Sequence, residues 1–268
     1  MPGAARVVVL AVPADDAELA ADALWSAGAS AVEERTGDDA AVVVLVADVE
    51  PLAVPSHWRL TTAVVDDGRD AWRPFARAWR AGPFVVRPPW VALDIEVHAD
   101  DVVLEIDPGH AFGSGSHATT RLVLAALDRV LCRDASVLDV GCGSGVLGIA
   151  AARLGAASVD ARDIEADAVE ATCANAARND VDRTVHASTR PLSFGDGPYD
   201  VVLANIGLGA LQHMARELQE VVRDQGTIVL SGVLEADVAS LVASFARCDP
   251  VSTAAEEGWA AVVLARRR

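Results

Sequence analysis

The run from Ser136 to Val146 (Ser-Val-Leu-Asp-Val-Gly-Cys-Gly-Ser-Gly-Val) joins five residues of strand character to three glycines spaced G-x-G-x-G, and Val146 to Leu154 continues as a helix. A strand, a glycine turn and a helix N-terminus together turn backbone N–H groups toward an anionic or polar ligand. Glycine suits the turn because a Cβ would block both the bend and the ligand's approach. Asp163 closes the next apolar run, 22 positions beyond Gly141. A carboxylate there can accept both hydroxyls of a ribose; Glu165 competes for the role, or serves as an acid at a helix start. Asn205 ends a further apolar strand, Asp200 to Asn205. Its carbonyl can accept an N–H from a substrate amine, although an amide cannot act as a base. The alternative is that Asn205 caps the following helix.

These groups need a scaffold that brings strand ends together, and the pattern around them supplies one. From Val102 the chain alternates: strand Val102 to Ile106, helix Leu122 to Leu131, strand Ser136 to Val140, helix from Val146, strand Ser158 to Asp163, helix Glu165 to Ala177 and strand Arg183 to Ala187. Strand Asp200 to Asn205, helix Leu208 to Val222, strand Thr227 to Ser231, helix Glu235 to Phe245 and strand Trp259 to Ala265 follow. Such alternation over 101–268 predicts an α/β domain, a doubly wound, mostly parallel Rossmann-like sheet. Sheets of this kind bind ligands at the carboxyl ends of their strands.

Residues 1–66 read differently. Strand Arg6 to Val12, helix Leu19 to Ala27, and strands Ala40 to Ala47 and Leu60 to Val65 predict a small ferredoxin-like α+β domain. It holds no catalytic constellation, which points to recognition or assembly. Between the two, 67–100 reads as a linker. Ala71 to Arg80 is expected to be a helix with Trp72, Phe75 and Trp79 on one face, followed by the stiff Pro88-Pro89-Trp90.

Composition narrows the class. The chain is 52% hydrophobic, enough for a sizeable core, yet no apolar run reaches the ~20 residues of a membrane span. Met1 to Arg6 lacks the layout of a signal peptide. Cys132, Cys142, Cys173 and Cys248 form no C-x-x-C pair, so neither a metal site nor a disulfide frame is expected, and a cytoplasmic location is. The formal net charge is −17 and lysine is absent. Such a chain should repel nucleic acid and attract a cationic partner, unless the charge serves solubility alone.

The glycine spacing after Asp139 resembles motif I of S-adenosylmethionine-dependent methyltransferases; a nicotinamide dehydrogenase would show G-x-G-x-x-G/A instead. Asp107-Pro-Gly-His-Ala-Phe-Gly-Ser-Gly-Ser-His-Ala-Thr-Thr120 resembles the D-P-G-x-A-F-G-T-G-x-H-x-T-T signature of bacterial ribosomal protein L11 methyltransferases (PrmA). Val137 to Val146, Asn205 to Leu211, Leu230 to Leu234, Trp72 and Pro89-Trp90 are similar to the same family. The resemblance covers most of the chain from Trp72 onward, and the D-P-G segment is not general to methyltransferases.

This resemblance implies a class I methyltransferase with S-adenosyl-L-methionine as cofactor. The cofactor would lie over Gly141, Gly143 and Gly145, with Asp163 on its ribose and Phe112, Gly113, Gly115 and Thr120 at its methionine end. Asn205 would border both the methyl group and the incoming amine, the one catalytic side chain implied. The family's reaction is N-methylation of lysine side-chain and N-terminal amines of a ribosomal large-subunit protein, a cationic partner. The N-terminal domain looks like the family's substrate-recognition domain. His117 matches a motif histidine, either catalytic or a satisfied loop residue. Gly207, Ala118 and Ser114 depart from the family pattern. Gly207 stands where a bulky residue or tyrosine is usual, which leaves the acceptor open. A small-molecule amine, or cofactor binding without turnover, are the alternatives.

Overall fold

In a computed structural model, which describes residues 4–27, 29, 32–36, 42–47, 51–66, 76–107 and 117–268, the chain folds as two units, Met1–Phe75 and Ala76–Arg268. The first unit contains β1 (Ala4–Pro13), α1 (Ala17–Ser26), β2 (Val32–Thr36), β3 (Val42–Ala47) and β4 (Arg59–Asp66). Its sheet is antiparallel throughout, in the order β2-β3-β1-β4. Alternate residues of β1, namely Val8, Leu10 and Val12, are buried beneath Ala17, Ala20 and Leu24 of α1, which recur at i, i+3 and i+7.

That strand order is ferredoxin-like, but 51–58, where such a fold would place a second helix, carries none. Trp58 fills the space instead, 6% exposed, its indole N–H donating to Asp16 at 2.8 Å. The sequence reading missed β2, whose run Val-Glu-Glu-Arg-Thr is too charged to look like a strand. Charge is a usual feature of edge strands, which must discourage pairing with other chains.

The second unit opens with β5 (Trp79–Ala81), β6 (Phe84–Arg87) and β7 (Val102–Glu105), which form a three-stranded sheet. The expected aromatic helix over 71–80 is therefore corrected. Residues 76–78 are not helical and Trp79 pairs with Val86, while Trp72 and Phe75 lie outside the described residues. Phe84, Val85 and Val86 are all buried. Pairing with that buried strand outweighs the helical spacing of three aromatics.

The remaining elements are α2 (Ala118–Val130), β8 (Ser136–Val140), α3 (Val146–Arg153), β9 (Ser158–Arg162), α4 (Ala166–Arg178), β10 (Val185–Ser188) and β11 (Tyr199–Asn205). Then come α5 (Leu208–His213), α6 (Ala215–Val221), β12 (Val222–Leu234), α7 (Val238–Ala243), β13 (Cys248–Glu256) and β14 (Trp259–Arg266). The sheet order is β10-β9-β8-β11-β12-β14-β13, the first five strands parallel and β14 antiparallel to both neighbours. The expected doubly wound sheet is present. The helix expected over 208–222 is two helices that meet at Met214, and β13, mostly exposed, had no apolar signature to reveal it.

Each face of the sheet has its own core. Val137 faces α2, α3 and α4, whereas Leu138 and Val140 face α5, α6 and α7, as strand alternation requires. The sheet grows in opposite directions from β8 and β11, so the crevice for a ligand opens at the carboxyl ends of those two strands. Among the described residues, no helix is long and apolar enough to cross a membrane. Leu203, fully buried at the centre of β11, should cost about 2–5 kcal/mol of stability when replaced by alanine. Val251→Ala, at a 63% exposed position, should change it by less than about 0.5 kcal/mol in the same denaturant titration.

Candidate functional site

The glycine turn after β8 is shaped by contacts a side chain would destroy. A Cβ on Gly141 would come within 2.3 Å of the Ile206 side chain, which follows Asn205 at the end of β11. Gly145, the N-cap of α3, has φ +81, and a Cβ there would lie 2.8 Å from Thr172 on α4. The turn is therefore pressed between the end of β11 and the side of α4.

Its amides do not face outward as the sequence led one to expect. Gly141 and Cys142 both donate to the Arg162 carbonyl, at 2.8 and 3.1 Å, and Gly145 donates to Cys142 at 2.7 Å. Gly143 donates to Asp163 Oδ2 at 2.9 Å. Those four N–H groups are used inside the protein, so they form no cradle for a phosphate. The Arg162 carbonyl accepts both through its two lone pairs; the Arg162 side chain is buried and paired with Asp160, which also accepts from the Tyr199 hydroxyl at 2.7 Å.

Two carboxylates stand beside the turn, those of Asp163 and Asp139. Asp163 lies just past β9, its Oδ2 on Gly143 and its Oδ1 accepting from the Glu165 amide at 3.0 Å. Glu165 is exposed and makes no side-chain cap on α4. Asp139, inside β8, is fully buried; its Oδ2 accepts from Gly148 at 2.9 Å and its Oδ1 has no partner among the described residues. Burial, aided by the charge of Asp163, pushes the Asp139 carboxyl up to about 7. Burial also pushes the neighbouring Cys142 thiol up to about 12, which removes it as a nucleophile.

Asn205 closes β11, and its amide nitrogen donates to Thr120 Oγ1 at 3.4 Å. Its carbonyl oxygen has no protein donor among the described residues. The N-cap of α5 is Gly207, so Asn205 is not that helix's cap. His117 is the N-cap of α2; its Nδ1 accepts from the Thr119 amide at 3.3 Å, and its ring stands edge-on to Trp259 at 5.0 Å. Burial lowers its pKa, favouring the neutral ring. Gly207 has ordinary extended backbone, φ −60 and ψ 151, and a side chain built there would meet nothing within 4 Å.

The structure thus brings together Thr120, Gly141, Gly143, Gly145, Asp163 and Asn205 at one end of the sheet. Phe112, Gly113 and Gly115 lie outside the described residues. Two features were missed in the sequence. Ile164, beside Asp163, is 90% exposed, an apolar face next to a carboxylate; an isoleucine inside the polar turn Asp163-Ile164-Glu165 was the signal. Thr172 and Asn175 on α4, and Asn179 at its C-cap, are almost fully buried, at 0%, 0% and 3% exposure. Polar residues at i, i+3 and i+7 of an alanine-rich helix were the signal for this second feature. Among the described residues no cluster of three His, Cys, Asp or Glu side chains is set to hold a metal ion.

The Asp139 environment generates a pH test. Its folded-state pKa of about 7 exceeds the ordinary ~3.9 of an unfolded aspartate. Its contribution is complete below the unfolded value and declines as pH rises toward the folded one. Stability curves of the cofactor-free protein and of Asp139→Asn should diverge from pH ~4 to ~7, in the variant's favour, and run parallel above. Curves parallel throughout would show that Asp139 ionises normally.

The chain is 47% identical to a ribosomal protein L11 methyltransferase of Cupriavidus taiwanensis over 161 residues, 60% of this chain and 53% of that one. It is 40% identical to one from Geobacter sulfurreducens over 235 residues, 87% of this chain and 75% of that protein. The chain thus spans about half the length of the first of these relatives. A crystal structure described as ribosomal protein L11 methylase from Lactobacillus delbrueckii subsp. bulgaricus superposes with a TM-score of 0.66 at 28% identity, covering 72% of this chain and all of that one. Since the model of one family accounts for residues 30–267, glycine turn, Asp163 and Asn205 included, the chain belongs to the ribosomal protein L11 methyltransferase (PrmA) family.

Proposed function

We propose that this chain is an S-adenosylmethionine-dependent N-methyltransferase that modifies lysine side-chain and N-terminal amines of a ribosomal large-subunit protein. The observation that carries the reading is the convergence of the glycine turn, Asp163 and Asn205 at the switch point between β8 and β11. The donor set fits the cofactor. Turn amides spent internally, with the Asp163 carboxylate close by, suit a cationic, phosphate-free nucleoside rather than a pyrophosphate.

When bound, S-adenosylmethionine supplies an electrophilic methyl group on a sulfonium. Asp163 keeps a second lone pair on each carboxylate oxygen beyond those on Gly143 and Glu165, so it can accept ribose hydroxyls. Ile164 offers an apolar surface for a purine. Phe112, Gly113, Gly115 and Thr120 are assigned to the methionine end on the family resemblance. Asn205, its amide nitrogen turned to Thr120, directs its carbonyl to an acceptor N–H and so aims the nitrogen lone pair. It removes no proton. A lysine amine of pKa ~10.4 costs about 4 kcal/mol to deprotonate at pH ~7.4, which desolvation and positioning must meet.

The acidic surface, −17 overall, favours encounter with a cationic protein. The first unit is assigned to substrate recognition. The four cysteines are all unpaired, in keeping with a cytoplasmic site of action. The open space at Gly207 supports a second reading, a same-fold enzyme for a small-molecule amine.

Labelled S-adenosylmethionine incubated with the protein and a ribosomal extract separates the possibilities. Label in a small ribosomal protein supports the proposal, label only in small molecules supports the second reading, and binding without transfer refutes both. Asp163→Ala should weaken cofactor binding by roughly 1.5–3 kcal/mol, the worth of hydrogen bonds to a charged acceptor; calorimetry showing unchanged affinity would remove it from the site. Asn205→Ala should lower kcat far more than it raises the cofactor Kd, whereas equal losses would make its role structural.

A further inference from the structure

We infer that Asn175 is a positioning residue that fixes the glycine turn to the start of the D-P-G segment and so sets cofactor affinity; the affinity part rests on the proposed cofactor. Every polar atom of its buried side chain is spent. The amide nitrogen donates to the Asp107 carbonyl at 2.7 Å and to the Ser144 carbonyl at 2.9 Å. The carbonyl oxygen accepts from the Asp107 N–H at 2.9 Å and from Arg178 at 3.0 Å. One carboxamide thus ties together two segments far apart in sequence, the residue leading out of β7 and the middle of the turn after β8.

Its neighbours on α4 show that the arrangement is directed at the turn. Thr172 donates to the Gly143 carbonyl at 3.0 Å and packs where Gly145 has no Cβ. Asn179 grips Glu105 of β7 through both N–H and C=O, at 2.9 and 2.7 Å, but no bond links it to the turn. Asn175 and Asn179 are thus both buried asparagines that grip the backbone of one residue in or just past β7; Asn175 alone also reaches the turn, through Ser144, and accepts from Arg178, whereas Asn179 donates to the Asn175 backbone carbonyl at 2.8 Å. Without Asn175, Ser144 loses the partner of its carbonyl in a site where it is 2% exposed. A buried carbonyl without a donor shifts toward water, and the turn moves with it.

Full-length Asn175→Ala, Asn175→Asp and Asn179→Ala test this through amide hydrogen exchange of residues 143–147 without cofactor, calorimetric Kd for S-adenosylhomocysteine, and Tm. The aspartate variant keeps the side-chain volume and the acceptor but loses both donors, and it stands in should the alanine variant fail to fold. Both Asn175 variants should exchange faster across the turn and bind about tenfold more weakly, about 1.4 kcal/mol, while Asn179→Ala at a similar loss of Tm stays within about twofold. Equal loss of affinity in the Asn175 and Asn179 variants, or unchanged exchange in the turn, overturns the inference. A wild-type protein that binds no S-adenosylhomocysteine removes the methyltransferase reading instead, and the exchange comparison then decides the role of Asn175 alone.

Discussion

Ile206 has almost no room. Its side chain occupies the place a Cβ on Gly141 would take, and its backbone carbonyl lies 2.4 Å from where one on Gly232 would stand. The turn after β8 and the strand β12 must lack side chains at those points for the end of β11 to sit between them. That close approach puts Asn205 beside the glycine turn, and Thr120 then sets the direction of its amide. The site depends on this steric constraint before any charge or hydrogen bond acts, because packed interiors leave no slack for a methyl group.

Polar groups then hold the turn in place. In a phosphate-binding loop, backbone donors are left for the ligand. Here the Arg162 carbonyl, the Asp163 carboxylate and the Cys142 carbonyl take those donors first. What remains beside the turn is the Asp163 carboxylate, while Asp139 lies fully buried with one oxygen unpartnered among the described residues. The α4 stripe engages the opposite groups, since Thr172 and Asn175 donate to two successive turn carbonyls.

Much of this was legible in the chain. Alternating runs of strand and helix type from Val102 onward gave the doubly wound sheet, because each period must bury its own apolar face. The G-x-G-x-G spacing, Asp163 and Asn205 all fell at strand ends, where such sheets bind ligands. The failures have physical causes. The aromatic spacing around Trp79 looked helical because local pattern carries no information about the buried strand Phe84–Arg87 waiting to pair with it. The strands β2 and β13 were invisible because edge strands need little apolar content.

By itself the sequence determined which groups could do chemistry and in which fold they would meet. Glycine spacing, a carboxylate and an amide at strand ends are local signals, and so is hydrophobic periodicity. Only the tertiary structure decided where each hydrogen bond goes. It turned the loop amides inward, left the Asn205 carbonyl free of protein donors among the described residues, and joined Asn175 to both Asp107 and Ser144. Partners separated by tens of residues are chosen by packing, and no spacing along the chain records that choice.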